Sequence, residues 1–171
     1  SLPSYTWAAT APSDWTGAVW TTGTETGQQF ASGSNAVFDD TAQATQVGIT
    51  SAVTAHDVTV SGQDYTFNLS GDGASLTANA LNVTSDQLTI QGGAVTTGTL
   101  TVGEGAGITV GTDATLKVAD AATAKALMMG TQVTNSGIFE IASNVTLDNA
   151  AEILKAGANI LVAGSAVFKG D

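Results

Sequence analysis

The chain has 171 residues, 43% hydrophobic and 11% charged, with 15 acids against four lysines, no arginine and no cysteine. Its formal charge of −11 repels phosphate backbones and anionic lipid surfaces, and without guanidinium groups it cannot make the bidentate contacts that read bases, so nucleic acid is not an expected partner. Disulfide, thiolate-metal and Cys-nucleophile chemistry are excluded with the cysteines, and no apolar run reaches the roughly 18 residues a helix needs to cross a membrane.

The first segment, residues 1–34, differs from the rest: Trp7, Trp15 and Trp20 all fall in it and it has little strand repetition. The open end of a stacked β structure exposes unpaired strand edges and an apolar cross-section, which bulky aromatics cover. Trp7, Trp15, Trp20, Phe30 and Phe38 are therefore expected to form a cap and the first layer of core. The functional alternative is a tryptophan surface on which sugars stack.

"AVFDDTA" follows, residues 36–42. Asp-Thr-Ala is the loop of aspartic proteases, in which two such aspartates share a proton. Asp39 and Asp40 are the candidate catalytic residues on that reading. It needs a second equivalent loop, and the nearest texts are "TDAT" at 112–115 and "ADAA" at 119–122. The structural reading is a turn closing the Phe38 strand. His56 is the single histidine. On an alternating strand it and Asp57 are expected on opposite faces, which makes His56 a solvated surface residue rather than half of a dyad.

From residue 57 one phrase recurs: "DVTVSGQDYTFNLSG", "ALNVTSDQLTIQGG", "GTLTVGEGAGITVGTDATLKVAD". Each holds a short alternating strand, a Gly, Ser or Asp turn, and another strand. Val60, Val83 and Val102 recur at spacings of 23 and 19 residues, about one coil of a solenoid. Alternation turns Val58, Leu81, Leu88, Ile90, Leu100, Ile108 and Val110 inward with Thr and Asn outward. One coil cannot bury its own apolar side, whereas coils stacked about 4.8 Å apart share a continuous column. The expected fold is all-β, a right-handed parallel β-helix of about six coils over residues 35–171, a rod near 30 Å long.

The spacing of Trp7, Asp14-Trp15 and Trp20, followed by "GSNAVFDDTAQ", resembles the opening of the autotransporter-associated β-strand repeat proteins. With the Thr/Gly phrases the resemblance extends to about residue 118. It implies a secreted or surface-displayed bacterial passenger folded as a β-helix, with a stalk-like or adhesive surface and no shared catalytic residues.

Two later stretches admit helices. "DAATAKALMMG", residues 120–130, and residues 149–156 each follow an aspartate and end near a glycine with helix formers between. The text "NVTLDNAAEILKAGANILVAGSAVF" resembles the end of the ribulose-phosphate 3-epimerase barrel, which implies a phosphate held at Gly164-Ser165. Ser143-Asn144 stands where that family has Gly-Gly, and one histidine cannot supply its metal set. The competing alignment sets "ITVGTDATLKV" (108–118) over "ILVAGSAVFKG" (160–170) at an offset of 52 residues, which is not a whole number of 20-residue coils. On it the tail is solenoid, with Ile160, Val162 and Phe168 inward and Leu161 and Lys169 outward.

No metal or cofactor is expected: one His and no Cys leave zinc to carboxylates, and the "SGDG" corner at 70–73 lacks the repeat of calcium-binding solenoids. The expected function is a non-catalytic structural or adhesive segment of a secreted or cell-surface passenger, with surface glycans or proteins as partners. The alternative is a glycan- or mucin-directed hydrolase acting through Asp39 and Asp40.

Overall fold

The structure, a computed structural model, describes residues 2–120, 132–145 and 160–163. Among these there is no helix: every regular element is a strand, and the strands stack into a β-solenoid of about four turns. A ten-stranded sheet contains β1 (Ser4–Trp7), β3 (Trp20–Thr22), β4 (Glu25–Gln28), β5 (Asn35–Phe38), β7 (Ala52–Val60), β9 (Ser75–Val83), β11 (Ala94–Val102), β13 (Thr115–Val118), β15 (Ile138–Val145) and β16 (Ile160–Ala163). A six-stranded sheet contains β2 (Ser13–Asp14), β6 (Gln46–Ile49), β8 (Tyr65–Leu69), β10 (Gln87–Gln91), β12 (Gly107–Val110) and β14 (Val133–Asn135).

Successive strands alternate between the sheets along most of the chain, so like residues of successive turns come into register. Val60 pairs with Val83 and Val83 with Val102, the two spacings visible in the repeat. In the six-stranded sheet Val47, Phe67, Ile90 and Val110 form one buried file, and Tyr65, Leu88, Ile108 and Val133 form the next. Together with Val58, Leu81 and Leu100 they make the continuous apolar column that a lone coil lacks.

The long strands β7, β9 and β11 do not alternate throughout. Ala55 and Val58 are both buried, with His56 and Asp57 turned outward between them. Ala78 and Leu81 flank Asn79-Ala80 in the same way, and Thr97 and Leu100 flank Gly98-Thr99. Two consecutive outward residues mark a corner in each strand: the ladder skips the pairs His56 with Asn79 and Asn79 with Gly98 and resumes beyond them in the same register.

The parallel ladders begin at Ser4, within the expected cap segment, because β1 pairs in parallel with β5 and β2 with β6. The chain then turns back through β3 and β4, which are antiparallel and form one edge of the larger sheet. At the other edge β16 pairs with β15, setting Leu161 opposite Ile141 and Ile160 opposite Glu140. The expected facing of Ile160, Leu161 and Val162 concerns side chains outside those the structure describes. Ile108 lies in the six-stranded sheet and Ile160 in the ten-stranded one, as an offset that is not a whole number of coils allows. The expected helices at 120–130 and 149–156, the Gly164-Ser165 phosphate grip, Phe168 and Lys169 lie outside the described residues, save Asp120 at the edge.

Candidate functional site

The aromatics converge at the β4 end of the stack. Trp7, Trp15, Trp20 and Phe38 are all buried, and Phe30 packs against them partly exposed. Ring centroids lie 5.3 Å apart for Trp7 and Trp20, 5.2 Å for Trp15 and Trp20, and 5.3 Å for Trp15 and Phe38, at tilted or edge-on angles that favour aromatic pairs. The indole of Trp7 donates to the Ala44 carbonyl at 2.9 Å and that of Trp20 to the Trp15 carbonyl at 2.8 Å. Buried and engaged in this way, these rings offer no flat surface for sugar stacking. They are the apolar filling of the first turn.

Trp15 is the exception in its polar atom: Nε1 is buried and has no acceptor among the described residues. The same ring lines a cavity of about 100 Å³, shared with Phe30 and Val53, with Thr16, Ser32 and Thr54 around it.

Asp39 and Asp40 follow β5 at a corner. Asp39 accepts from the Thr41 backbone N–H at 3.0 Å and from the Thr41 hydroxyl, an Asx-type turn. The turn is fastened from the next coil: the Tyr65 hydroxyl donates to the Asp39 carbonyl, and Gln63 Nε2 donates to the Asp39 and Ala42 carbonyls at 2.9 Å each. Burial pushes the Tyr65 hydroxyl above its ordinary 10.0; the Gln63 hydrogen bond pulls the other way, and the charges of Asp39 and Asp40 add to the rise. Asp113, in the second Asp-Thr-like text, lies on a different corner, between β12 and β13.

His56 and Asp57 sit together, contrary to the expectation of opposite faces. Nδ1 lies 3.2 Å from Asp57 Oδ1, because both residues occupy the outward corner of β7 where alternation is suspended. Asp57 is also held by its neighbours: its N–H donates to Asn35 Oδ1 at 3.1 Å, and Asn79 Nδ2 donates to its carboxylate at 3.3 Å.

The outer face of the six-stranded sheet carries polar files that are neutral except for Asp14 at the β2 end. Gln46, Thr66, Thr89, Thr109 and Thr134 stand in register on consecutive strands. Asp14, Gly48, Asn68 and Gln91 form the adjoining file, and Asn68 donates to Gln46 at 2.8 Å. At the β2 end, Asp14, Gln46, Thr50 and Asn68 line a groove of about 320 Å³. Burial alone pushes the Asp14 carboxyl up. Hydrogen bonds from the Thr16 N–H at 2.9 Å, the Thr16 hydroxyl at 2.7 Å and the Thr50 hydroxyl at 2.8 Å outweigh it, and the group is held below its ordinary 3.8.

Among the described residues no three His, Cys, Asp or Glu side chains gather as a metal site would require. The Tyr65-Gln63 clasp and the Asp14-Thr50 pair were not singled out from sequence. Each joins residues more than 20 positions apart, and only the coil register brings them together. The chain matches no protein-family model, no curated protein and no solved structure.

Proposed function

We propose that the chain is a non-catalytic structural and adhesive segment of a secreted or surface-displayed bacterial passenger, akin to the autotransporter-associated repeat proteins, with surface glycans or proteins as partners. The observation that carries this reading is the outer face of the six-stranded sheet, where hydroxyls and amides stand in register on consecutive rungs of one hydrogen-bonded ladder. A backbone paired on both sides holds such a face rigid, so its groups need no ordering on contact with a partner, which lowers the entropic cost of binding. Within this reading the solenoid is right-handed, since crossovers between parallel strands take that hand in roughly 98% of cases. Its coils number about six, in keeping with the six strands stacked in the smaller sheet.

The competing reading, a glycan- or mucin-directed hydrolase acting through Asp39 and Asp40, is separated by one panel. Soluble glycans and mucins are incubated with the protein and scored for both retention and released products. Retention without products is the expected result. Product release that is lost in Asp40→Asn would replace the adhesive reading with the hydrolase.

A further inference from the structure

The ladder of the ten-stranded sheet has a gap beside β7. The second half of that strand, Val58–Val60, pairs with β5, whereas the first half, Ala52–Ala55, pairs only with β9. β5 reaches no further because Gly33, at φ 85°, lies in a turn in which Ser34 donates to the Ala31 carbonyl, and the chain joins the ladder only beyond it.

Every second residue of a strand turns its N–H and C=O to the same side. The Ser51 carbonyl accepts from Ser75, so Val53 and Ala55 also face β9, and Ala52, Thr54 and His56 face the gap. There the Thr54 carbonyl accepts from the Gly33 N–H at 2.9 Å, and the His56 N–H donates to the Ser34 carbonyl at 2.9 Å. The next three groups in line, the Thr54 N–H and both the N–H and the C=O of Ala52, have no hydrogen-bond partner among the described residues. Ala52 and Thr54 are exposed, which leaves this short edge open. The cavity of about 100 Å³ runs along the same edge, lined by Ala52, Val53 and Thr54 together with Trp15 and Phe30.

We infer that this notch binds an extended peptide segment of a partner protein, which adds as a short strand to the first half of β7 and sets an aliphatic side chain in the cavity. The inference rests on the adhesive reading above and names one of its partners. Free N–H and C=O groups in line on a strand edge are a template for another backbone, and in such additions the main-chain bonds supply affinity while a side-chain pocket supplies selectivity. Residues opposite each other on neighbouring strands point to the same face, so the partner residue opposite Val53 points inward with it, to where the cavity lies. Its two neighbours, opposite Ala52 and Thr54, point out to solvent. A strand of either direction satisfies the free groups together. An engineered apolar cavity of about 150 Å³ holds benzene, so about 100 Å³ suits the roughly three or four carbons of valine or leucine. An acidic segment is disfavoured by the net charge of −11. The four strands β5, β1, β3 and β4 extend the sheet past this level and hold the end of a second folded solenoid away, so the notch admits a single extended segment.

The test follows the backbone amide resonances of the whole chain by NMR during titration with the capped peptide acetyl-Thr-Thr-Val-Thr-Thr-amide. Controls carry glycine or aspartate at the centre, or N-methyl groups on the three central residues. Saturable movement of the Ala52 and Thr54 amides is expected with the valine peptide, about tenfold weaker with glycine or aspartate and absent with the N-methylated copy. Ala52→Pro removes a donor that bonds to nothing in the fold, and it weakens the peptide several-fold with far-UV dichroism unchanged. Ser32→Leu, on the exposed rim of the cavity, blocks the seat and brings the valine peptide down to the level of the glycine one. No movement with any peptide, or equal movement with the N-methylated copy, overturns the inference. Equal binding of the valine and glycine peptides refutes the side-chain seat. Movement of the same amides on raising the protein concentration alone assigns the notch to a second copy and overturns the partner peptide. Retention on glycans with silent Ala52 and Thr54 amides refutes this site and leaves the adhesive reading standing; peptide binding here by a chain that releases products from glycans does the reverse.

Discussion

Phe38→Ala tests whether the aromatic cluster holds the first turn together. The ring is fully buried, with centroids 5.8 Å from Trp7, 5.3 Å from Trp15, 5.4 Å from Trp20, 5.3 Å from Tyr65 and 5.1 Å from Phe67. A buried aromatic removes at least about 150 Å² from water, which at roughly 25 cal/mol/Å² comes to about 4 kcal/mol. That agrees with the roughly 3–5 kcal/mol measured for Phe→Ala in cores, where the residual cavity adds its own cost. With an m-value of about 2 kcal/mol/M, the urea midpoint falls by about 2 M. Tryptophan fluorescence reports the first turn, because all three tryptophans lie there, and far-UV circular dichroism reports the whole ladder. Both transitions are expected to move, fluorescence at least as far as dichroism. Phe30→Ala, which is partly exposed, serves as the reference and shifts the midpoint by less than half as much. A Phe38→Ala midpoint within about 0.5 M of the wild type, or equal to that of Phe30→Ala, would refute the cluster as the anchor of this end.

Tyr65→Phe deletes the hydroxyl that holds the Asp39 carbonyl and should cost about 1 kcal/mol in urea unfolding, a modest loss because Gln63 still donates to that carbonyl. Gly92→Ala should destabilise far more than Gly73→Ala: both have positive φ, but a Cβ at Gly92 meets the Leu69 carbonyl oxygen at 2.2 Å, whereas at Gly73 it meets nothing within 4 Å. Thermal melts of the two variants decide this, and equal melts would show that conformation alone matters. Asp14 titrates lower in the folded chain, so its contribution is present above the unfolded value of 3.8 and is lost as pH falls through the folded value; Asp14→Asn should flatten the acid limb of the stability curve. Tyr65 titrates higher when folded, so above pH 10.0 the unfolded state ionises first and stability falls toward the folded value, a loss absent from Tyr65→Phe.

The repeat exposed the core because one physical rule, alternation, governs most of each strand. Val58, Leu81, Leu88, Ile90, Leu100, Ile108 and Val110 are buried as alternation requires, and the 23- and 19-residue spacings are the actual register steps. The corners escaped because "AHDV", "ANAL" and "TGTL" carry no mark where alternation pauses. His56-Asp57 looks like any other strand pair until the ladder bends there. The reversal through β3 and β4 was hidden for another reason: in "WTTGTETGQ" the hairpin has the same Thr and Gly vocabulary as the solenoid turns. For β16 the text alone did not say which sheet receives Ile160. The Trp15 cavity was beyond the reach of sequence, since the type of a residue says nothing about whether its polar atom finds a partner.

The direction of the ladders has a mechanical consequence. Interstrand hydrogen bonds lie across the strands, and because the strands run around the stack, these bonds point from turn to turn along it. β4 and β16 occupy opposite edges of the larger sheet, so tension applied between the two ends loads one rung at a time and peels it, instead of shearing many rungs together. Each rung that opens frees the residues of one register step, 23 from Val60 to Val83 and 19 from Val83 to Val102. At about 3.6 Å per residue those steps yield roughly 85 and 70 Å of slack. Under load the chain would lengthen in unequal increments whose sizes follow its own sequence of turn lengths, letting out reach in stages while the turns still folded keep their faces on display.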